Sequence, residues 1–408
     1  MQRLLSHSTK RVHATLDITG SKSETNRLLL LQALFPQLVI ENASNSDDSV
    51  AMKKALNSED RVKDIHHAGT AMRFLTAYFA ANRSKEVELT GSARMQERPI
   101  ALLVDALRAL GADIEYAKKE GYPPLIIQGK SLKGGKVSLP ANVSSQYISA
   151  LLLSAPCFEQ GLQLTLEGAI TSLPYIKMTL ALLERIGLTA SFDGQTITVP
   201  PQTQVAPQHQ IVESDWSSAS YWFSIAALSQ TAEIRLNSYY NKSLQGDAVL
   251  MKIFRQLGVE SSIEGHQLIL KKISDFQLPS TLTLDLVEAP DIAQTIAVAC
   301  YGLGVECRLH GLHTLKIKET DRLIALENEL GKLGATIEVD ENSLWLSPKQ
   351  NFQANQSIDT YNDHRMAMAF APLALRIPLT INDAEVVSKS YPGFWEDLQK
   401  SDFQVLEK

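Results

Sequence analysis

Apolar positions along this chain fall into helical stripes that break at a glycine and give way to short alternating runs. From Ile100 to Leu110, Leu180 to Ile186, Val249 to Leu257 and Leu323 to Leu333, leucine or isoleucine recurs every three or four residues, so each segment has one apolar face. Each stripe ends at a glycine (Gly111, Gly187, Gly258 and Gly334) suited to a left-handed C-cap. Beyond the first glycine, Ala112 to Tyr116 reads as a strand. Beyond the others the pattern predicts hairpins about Asp193-Gly194, Glu264-Gly265 and Asp340 to Asn342. The four glycines are 76, 71 and 76 residues apart. A period near seventy implies roughly six α/β units, the first and last without a clear copy, each burying its helix face against a sheet. Gln202 to Gln210, rich in Gln and Pro, reads as a linker, which sets a domain boundary near residue 213.

Composition narrows the class. At 408 residues, 44% hydrophobic and 21% charged, the chain has an ordinary soluble balance and room for two domains. A net charge of -6 and a pI of 5.9 speak against non-specific nucleic-acid binding, so any anion is caught by local basic clusters. Cys157, Cys300 and Cys307 lack disulfide or metal spacing and read as small buried hydrophobes in a reducing compartment. No apolar run approaches the ~20 residues of a membrane span. Met1 to Lys10 has no signal-type apolar core, so the expected location is the cytoplasm.

Against this background two islands of dense mixed charge stand out, Lys318-Glu319-Thr320-Asp321-Arg322 and Tyr361-Asn362-Asp363-His364-Arg365. Exposed ion pairs add little stability, so a bound ligand is the better reason for them. Upstream lie Gly20-Ser21-Lys22-Ser23 with Arg27, Ala68-Gly69-Thr70-Ala71-Met72-Arg73, and Arg94-Met95-Gln96-Glu97-Arg98-Pro99. Each sets Lys or Arg beside Gly, Ser, Thr or an acid. The chain reads as a binder of small polyanions.

Individual residues carry two readings each. Ser23 suits the N-cap of a helix that runs through Glu24-Thr25-Asn26-Arg27 into the apolar run Leu28 to Leu34, leaving backbone donors for an anion beside the Lys22 charge and the Arg27 fork; a capped helix with two solvated cations is the plainer account. Gly-Ser-Lys-Ser falls short of the full nucleotide phosphate loop. Ser144-Ser145-Gln146 ahead of Tyr147 to Leu153, and Thr171-Ser172-Leu173-Pro174-Tyr175, place hydroxyls at helix starts, where capping and phosphate binding serve equally well. Asp291 suits either the N-cap of a helix over Ile292 to Cys300 or an acid that takes a hydroxyl proton. Glu319 fits a complementary acid or a surface ion-pair network. His364 fits a proton shuttle or a structural histidine.

In chain order, Gly-Ser-Lys-Ser-x3-Arg, Ala-Gly-Thr-Ala-Met-Arg, Arg-Met-x-Glu-Arg-Pro-Ile, Ser-Ser-Gln, Lys-Glu-Thr-Asp-Arg and Tyr-Asn-Asp-His-Arg-Met-Ala-Met resemble the 5-enolpyruvylshikimate-3-phosphate synthase family, from residue 18 to about 396. The resemblance implies an α/β fold of two similar domains, each of three repeated α/β units, the inside-out α/β barrel of enolpyruvyl transferases. The chain would cross twice, giving one domain of residues 21–213 and another of 1–20 with 214–408, with the active site in the cleft between them. It implies transfer of the enolpyruvyl group of phosphoenolpyruvate to the 5-hydroxyl of shikimate 3-phosphate with release of phosphate. No cofactor or metal is implied; a monomer is, and glyphosate as an inhibitor.

Carried over position by position, the resemblance gives Ser23 and Arg27 to the shikimate carboxylate, and Ser144, Ser145, Ser172 and Lys318 to its phosphate, with Tyr175 close by. Gln146 would lie between the two substrates. Lys22, Gly69, Arg98 and Lys389 would bind the phosphate of phosphoenolpyruvate, and Arg322 and Arg365 its carboxylate. Asp291 would accept the 5-hydroxyl proton and Glu319 protonate the methylene, with Lys22 and His364 in the catalytic set. Three positions depart from the family pattern. His67 and Thr314 stand where Asn is common, which leaves Thr314 outside the site set, and Phe74 stands where Pro is frequent, which is expected to alter the Gly69-Thr70 helix end and the glyphosate response. The rival with the same fold and donor, UDP-N-acetylglucosamine enolpyruvyl transferase, usually has a loop Cys, and no cysteine lies near Arg94 to Pro99. Similar repeats in RNA-terminal phosphate cyclases offer a binding-module alternative, against which the acidic pI counts.

Overall fold

The computed structural model describes every residue except 83–85, 143, 171–172 and 348–351, and only the backbone of Ile317. The chain divides into two compact units, Gly20–Val212 and Met1–Thr19 with Glu213–Lys408.

In both units the repeat is a strand, a helix, a parallel strand, a second helix and an antiparallel hairpin. In the first unit Gly135–Pro140 is followed by helix Ser145–Ser154, the parallel strand Leu162–Glu167 and helix Leu173–Arg185. Ser191–Phe192 and Thr196–Val199 then form the hairpin that closes a four-stranded sheet. Leu162, Leu164 and Leu166 alternate inward, the period-two pattern of a half-buried strand. The same plan in the second unit runs Thr281–Asp285, helix Ala293–Leu303, Glu306–His310, helix Arg322–Lys332 and the hairpin Thr336–Val339 with Leu344–Ser347.

All four glycines that end the predicted stripes have positive φ, 105° at Gly111, 87° at Gly187, 79° at Gly258 and 99° at Gly334, as a left-handed stop requires. The hairpins turn at the expected positions. One helix is shorter than its stripe: Val249 to Leu257 resolves into a 3₁₀ turn, Gly246–Val249, and helix Leu250–Arg255.

The absence of a clear first and last copy has a topological cause. In the first unit one group is a two-stranded parallel sheet, Leu38–Glu41 with Gln208–Ile211, whose strands come from opposite ends of that unit's sequence. In the second unit, Ser357–Ile358 and Leu379–Ile381 pair in parallel, and the sheet is completed by Arg3–Ser6 and Gln404–Glu407 from the two ends of the chain. Likewise Arg11–Leu16 supplies the edge of the sheet built on Thr231–Asn237. Trp216, Trp222, Phe223, Phe254, Tyr301 and Phe370 lie in the second unit's apolar core. That core fixes the roots of the helices that carry its charged residues.

Candidate active site

In the first unit the basic residues gather at helix starts. Helix Lys22–Leu34 is capped by Ser21, whose side chain accepts from the Glu24 amide, so Ser23 is inside the first turn and is not the cap. The reason is register: the helix begins at Lys22, two residues earlier than the sequence pattern suggests. One turn on, Arg27 is buried at 3% exposure. Its guanidinium donates to Thr179 Oγ1 at 2.8 Å, the Ser23 carbonyl at 2.8 Å and Ser149 Oγ at 2.9 Å. Its carbon lies 5.5 Å from the centre of the Phe74 ring and 6.0 Å from that of Tyr175. Burial among neutral partners lowers its pKa to about 10, so it remains charged at neutral pH.

Helix Gly69–Ala81 starts at the expected residue even with Phe74 fully buried in it. Arg73 ties this start to the Arg94-to-Pro99 segment by donating to the carbonyls of Gly69 at 3.2 Å and Pro99 at 3.3 Å. A Cβ placed on Gly69 would sit 2.5 Å from Arg98 Nη1, so backbone and guanidinium share one small space. Gln146 donates to Thr70 Oγ1 at 3.2 Å, which brings helix Ser145–Ser154, capped by Ser144, to the same place. Among the described residues, none of Lys22, Arg27, Arg73 and Arg98 forms an ion pair with a carboxylate. His67 Nε2 lies 3.7 Å from Asp47 Oδ2. Ser172 lies outside the described residues.

The second unit is built the opposite way. Arg322, at the first turn of its helix and 2% exposed, is held by three acids. Its Nε donates to Asp363 at 2.6 Å, Nη1 to Asp291 at 2.8 Å and Nη2 to Glu319 at 2.8 Å. Burial alone would lower its pKa, but Asp363, Glu319 and Asp291 raise it above the usual value. Among the described residues these three acids take one N–H on each nitrogen, which leaves one of the five on each terminal nitrogen, the number a bidentate carboxylate takes. Asp291 is not an N-cap: it lies in the 3₁₀ turn Pro290–Ile292, the helix starts only at Ala293, and its carboxylate turns to Arg322, to Lys318 at 3.6 Å and to Arg365 at 3.4 Å.

Arg365 also donates to the Asp291 carbonyl at 3.0 Å and to Ser217 Oγ at 3.3 Å. Tyr361 and Asn362 have φ of 53° and 56°, which turns the chain sharply before Asp363 caps helix His364–Phe370. The Tyr361 hydroxyl is anchored on Glu329 at 2.6 Å, and Lys389 donates to the Asn362 carbonyl at 2.6 Å. His364 is buried, with Nδ1 3.8 Å from Asp363. Thr314 lies in a separate 3₁₀ turn, His313–Ile317.

The structure therefore gathers Asp291, Lys318, Glu319, Arg322 and Arg365 in one unit, and Gly69, Arg98 and Gln146 in the other. Sequence reasoning assigned no role to Asp363, Arg73, Ser149, Thr179, Ser217 or Asp247. Asp363 was legible only as a flank of His364. Ser217 and Asp247 belong to stretches with no basic cluster, so no local signal marks them. Among the described residues no group of three or more His, Cys, Asp or Glu is arranged to hold a metal ion, and no helix is long and apolar enough to cross a membrane.

The fold is that of the enolpyruvyl transferases. EPSP synthase from Acinetobacter baumannii aligns with a TM-score of 0.81 over 100% of both chains at 22% identity, and the enolpyruvyl transferase NikO from Streptomyces tendae with 0.75 over 99% of both at 15%. In sequence, 3-phosphoshikimate 1-carboxyvinyltransferase of Bacteroides fragilis is 46% identical over 99% of this chain and 98% of its own length; that of Haemophilus influenzae is 35% identical over 98% and 99%. The chain belongs to the EPSP synthase (3-phosphoshikimate 1-carboxyvinyltransferase) family, whose sequence model matches residues 51–398.

Proposed function

We propose that this chain transfers the enolpyruvyl group of phosphoenolpyruvate to the 5-hydroxyl of shikimate 3-phosphate. The observation that carries the reading is Arg322, which holds Asp291 on one terminal nitrogen and Glu319 on the other. Two acids fixed on one cation, with two N–H groups to spare, suit a reaction that needs a base, an acid and a grip on a carboxylate. Asp291 takes the 5-hydroxyl proton as that oxygen bonds to the carbon bearing the phosphate. Glu319 gives a proton to the methylene, making the tetrahedral adduct. Loss of phosphate and of one methyl proton then restores the double bond. Positive character at the central carbon is offset by the two carboxylates.

Arg365 shares the donor carboxylate with Arg322. Lys22, Arg98 and Lys389, with the Gly69 backbone, take its phosphate. Arg27 and Ser23 take the shikimate carboxylate, and Ser144, Ser145, Ser172 and Lys318 the acceptor's phosphate, beside Gln146 and Tyr175. His364 is buried against Asp363, which supports a structural role as much as a shuttle. Glyphosate competes at the donor subsite, and the protein works as a cytoplasmic monomer. Phosphate release from phosphoenolpyruvate with shikimate 3-phosphate, against UDP-N-acetylglucosamine as control, tests the reading. Asp291→Asn and Glu319→Gln should each lower turnover by on the order of a hundredfold or more, with acceptor binding within a few-fold. Near-normal turnover in either removes that residue from the chemistry.

A further inference from the structure

Asp247 lies in the 3₁₀ turn Gly246–Val249, is 8% exposed, and belongs to none of the charged islands. Ser217, on helix Trp216–Leu228, donates its hydroxyl proton to the Asp247 carboxylate through a short hydrogen bond. On its other side the same oxygen accepts from Arg365 Nη2 at 3.3 Å. A serine hydroxyl has one proton. By taking it, Asp247 leaves Ser217 with only lone pairs to offer, which makes it an obligate acceptor for the guanidinium.

We propose that Asp247 is a positioning residue for the enolpyruvyl donor, aiming Arg365 through Ser217. The proposal rests on the reading in which Arg365 grips the donor carboxylate. Arg365 is also anchored on Asp291, through its carbonyl at 3.0 Å and its carboxylate at 3.4 Å. That carboxylate loses its charge when it takes the hydroxyl proton, and its pull on Arg365 weakens at the moment the donor must stay in place. The Ser217–Asp247 pair keeps its hold, because neither member takes part in the proton transfer. Among the described residues the charges that act most strongly on Asp247 are those of Asp291, Arg365 and Asp215, and the cation of the three is the guanidinium it steadies.

The test is a steady-state cycle on the full-length enzyme. Asp247→Ala and Ser217→Ala should each raise KM for phosphoenolpyruvate about tenfold, the size of one hydrogen bond to a charged group, with KM for shikimate 3-phosphate changed less than twofold. The double variant should be no worse than Ser217→Ala alone, because Asp247 acts through that hydroxyl. Asp247→Asn keeps an oxygen for Ser217 and should stay within about threefold of the parent. If Asp247→Ala does not fold, Ser217→Ala combined with Asp247→Asn carries the same test. Additive effects, or an unmoved donor KM in Asp247→Ala or Ser217→Ala, overturn the proposal. Arg365→Ala is the control: if it leaves the donor KM unchanged, the donor-site reading falls with it. If Arg365→Ala raises KM and the other variants do not, only the role of Asp247 falls.

Discussion

The two units carry the same repeat and treat their cations in opposite ways. In the first, Arg27 is buried among two hydroxyls and backbone carbonyls, and Arg73 among carbonyls. Their charge is solvated locally but not neutralised, and is available to an incoming anion. In the second, Arg322 is enclosed by Asp291, Glu319 and Asp363, and the charge is already matched. On the proposed reading the difference divides the labour. A cation without a carboxylate would attract and hold substrate anions, whereas a cation that orders carboxylates would fix acids for proton transfer and keep only a narrow grip on substrate.

The largest effect should come from breaking the matched side. Asp363 is fully buried, pairs with Arg322 Nε and accepts from the Arg365 amide as a helix cap. Asp363→Ala leaves a buried guanidinium short of one partner and should cost about 3–5 kcal/mol. Urea unfolding would measure it, and a loss under 1 kcal/mol would show that Asp291 and Glu319 suffice.

Next comes pH. Burial, and after it Asp291, push the Asp247 carboxyl up to about 6 from its ordinary 3.8. Between these values the folded state holds more protons than the unfolded one, so stability falls as pH rises through that window. The ionised form then costs up to about 3 kcal/mol above pH 6. Asp247→Asn should therefore exceed the parent in stability at pH 8, and the gain should fade as pH drops toward 4. A gain that does not change with pH would mean that Asp247 does not titrate there.

On the unmatched side the expected losses are smaller. Thr179→Val and Ser149→Ala each remove one acceptor from Arg27, at about 1–3 kcal/mol, and should weaken shikimate 3-phosphate more than phosphoenolpyruvate. Calorimetric titration with each ligand separates the two effects. Equal weakening would detach Arg27 from the acceptor. The smallest change is Gly69→Ala. Its methyl meets the movable end of Arg98 at 2.5 Å, so the side chain gives way and the fold survives. Glyphosate should lose affinity by a few-fold more than phosphoenolpyruvate does, and inhibition curves that shift in parallel would leave Gly69 a purely structural role.

What the sequence determined by itself was whatever is local or periodic. Helix stripes, the glycines that end them, hairpin turns at Asp193-Gly194 and Glu264-Gly265, and the charged islands all depend on residues a few positions apart. Neighbouring residues therefore sufficed to read them. Even so, a two-residue register error put the cap at Ser23 instead of Ser21, because either serine of Ser21-Lys22-Ser23 serves equally well until the helix is docked. The tertiary structure decided the partners. Arg322 and Asp363 are 41 positions apart, Arg365 and Ser217 148, and Arg27 and Thr179 152. No periodicity links such pairs. They meet because helices from separate repeats pack side by side, and the same packing excludes the water that would otherwise solvate each charge alone. That is why Asp291 reads as a helix cap in the sequence and stands in the fold as one of three acids around an arginine.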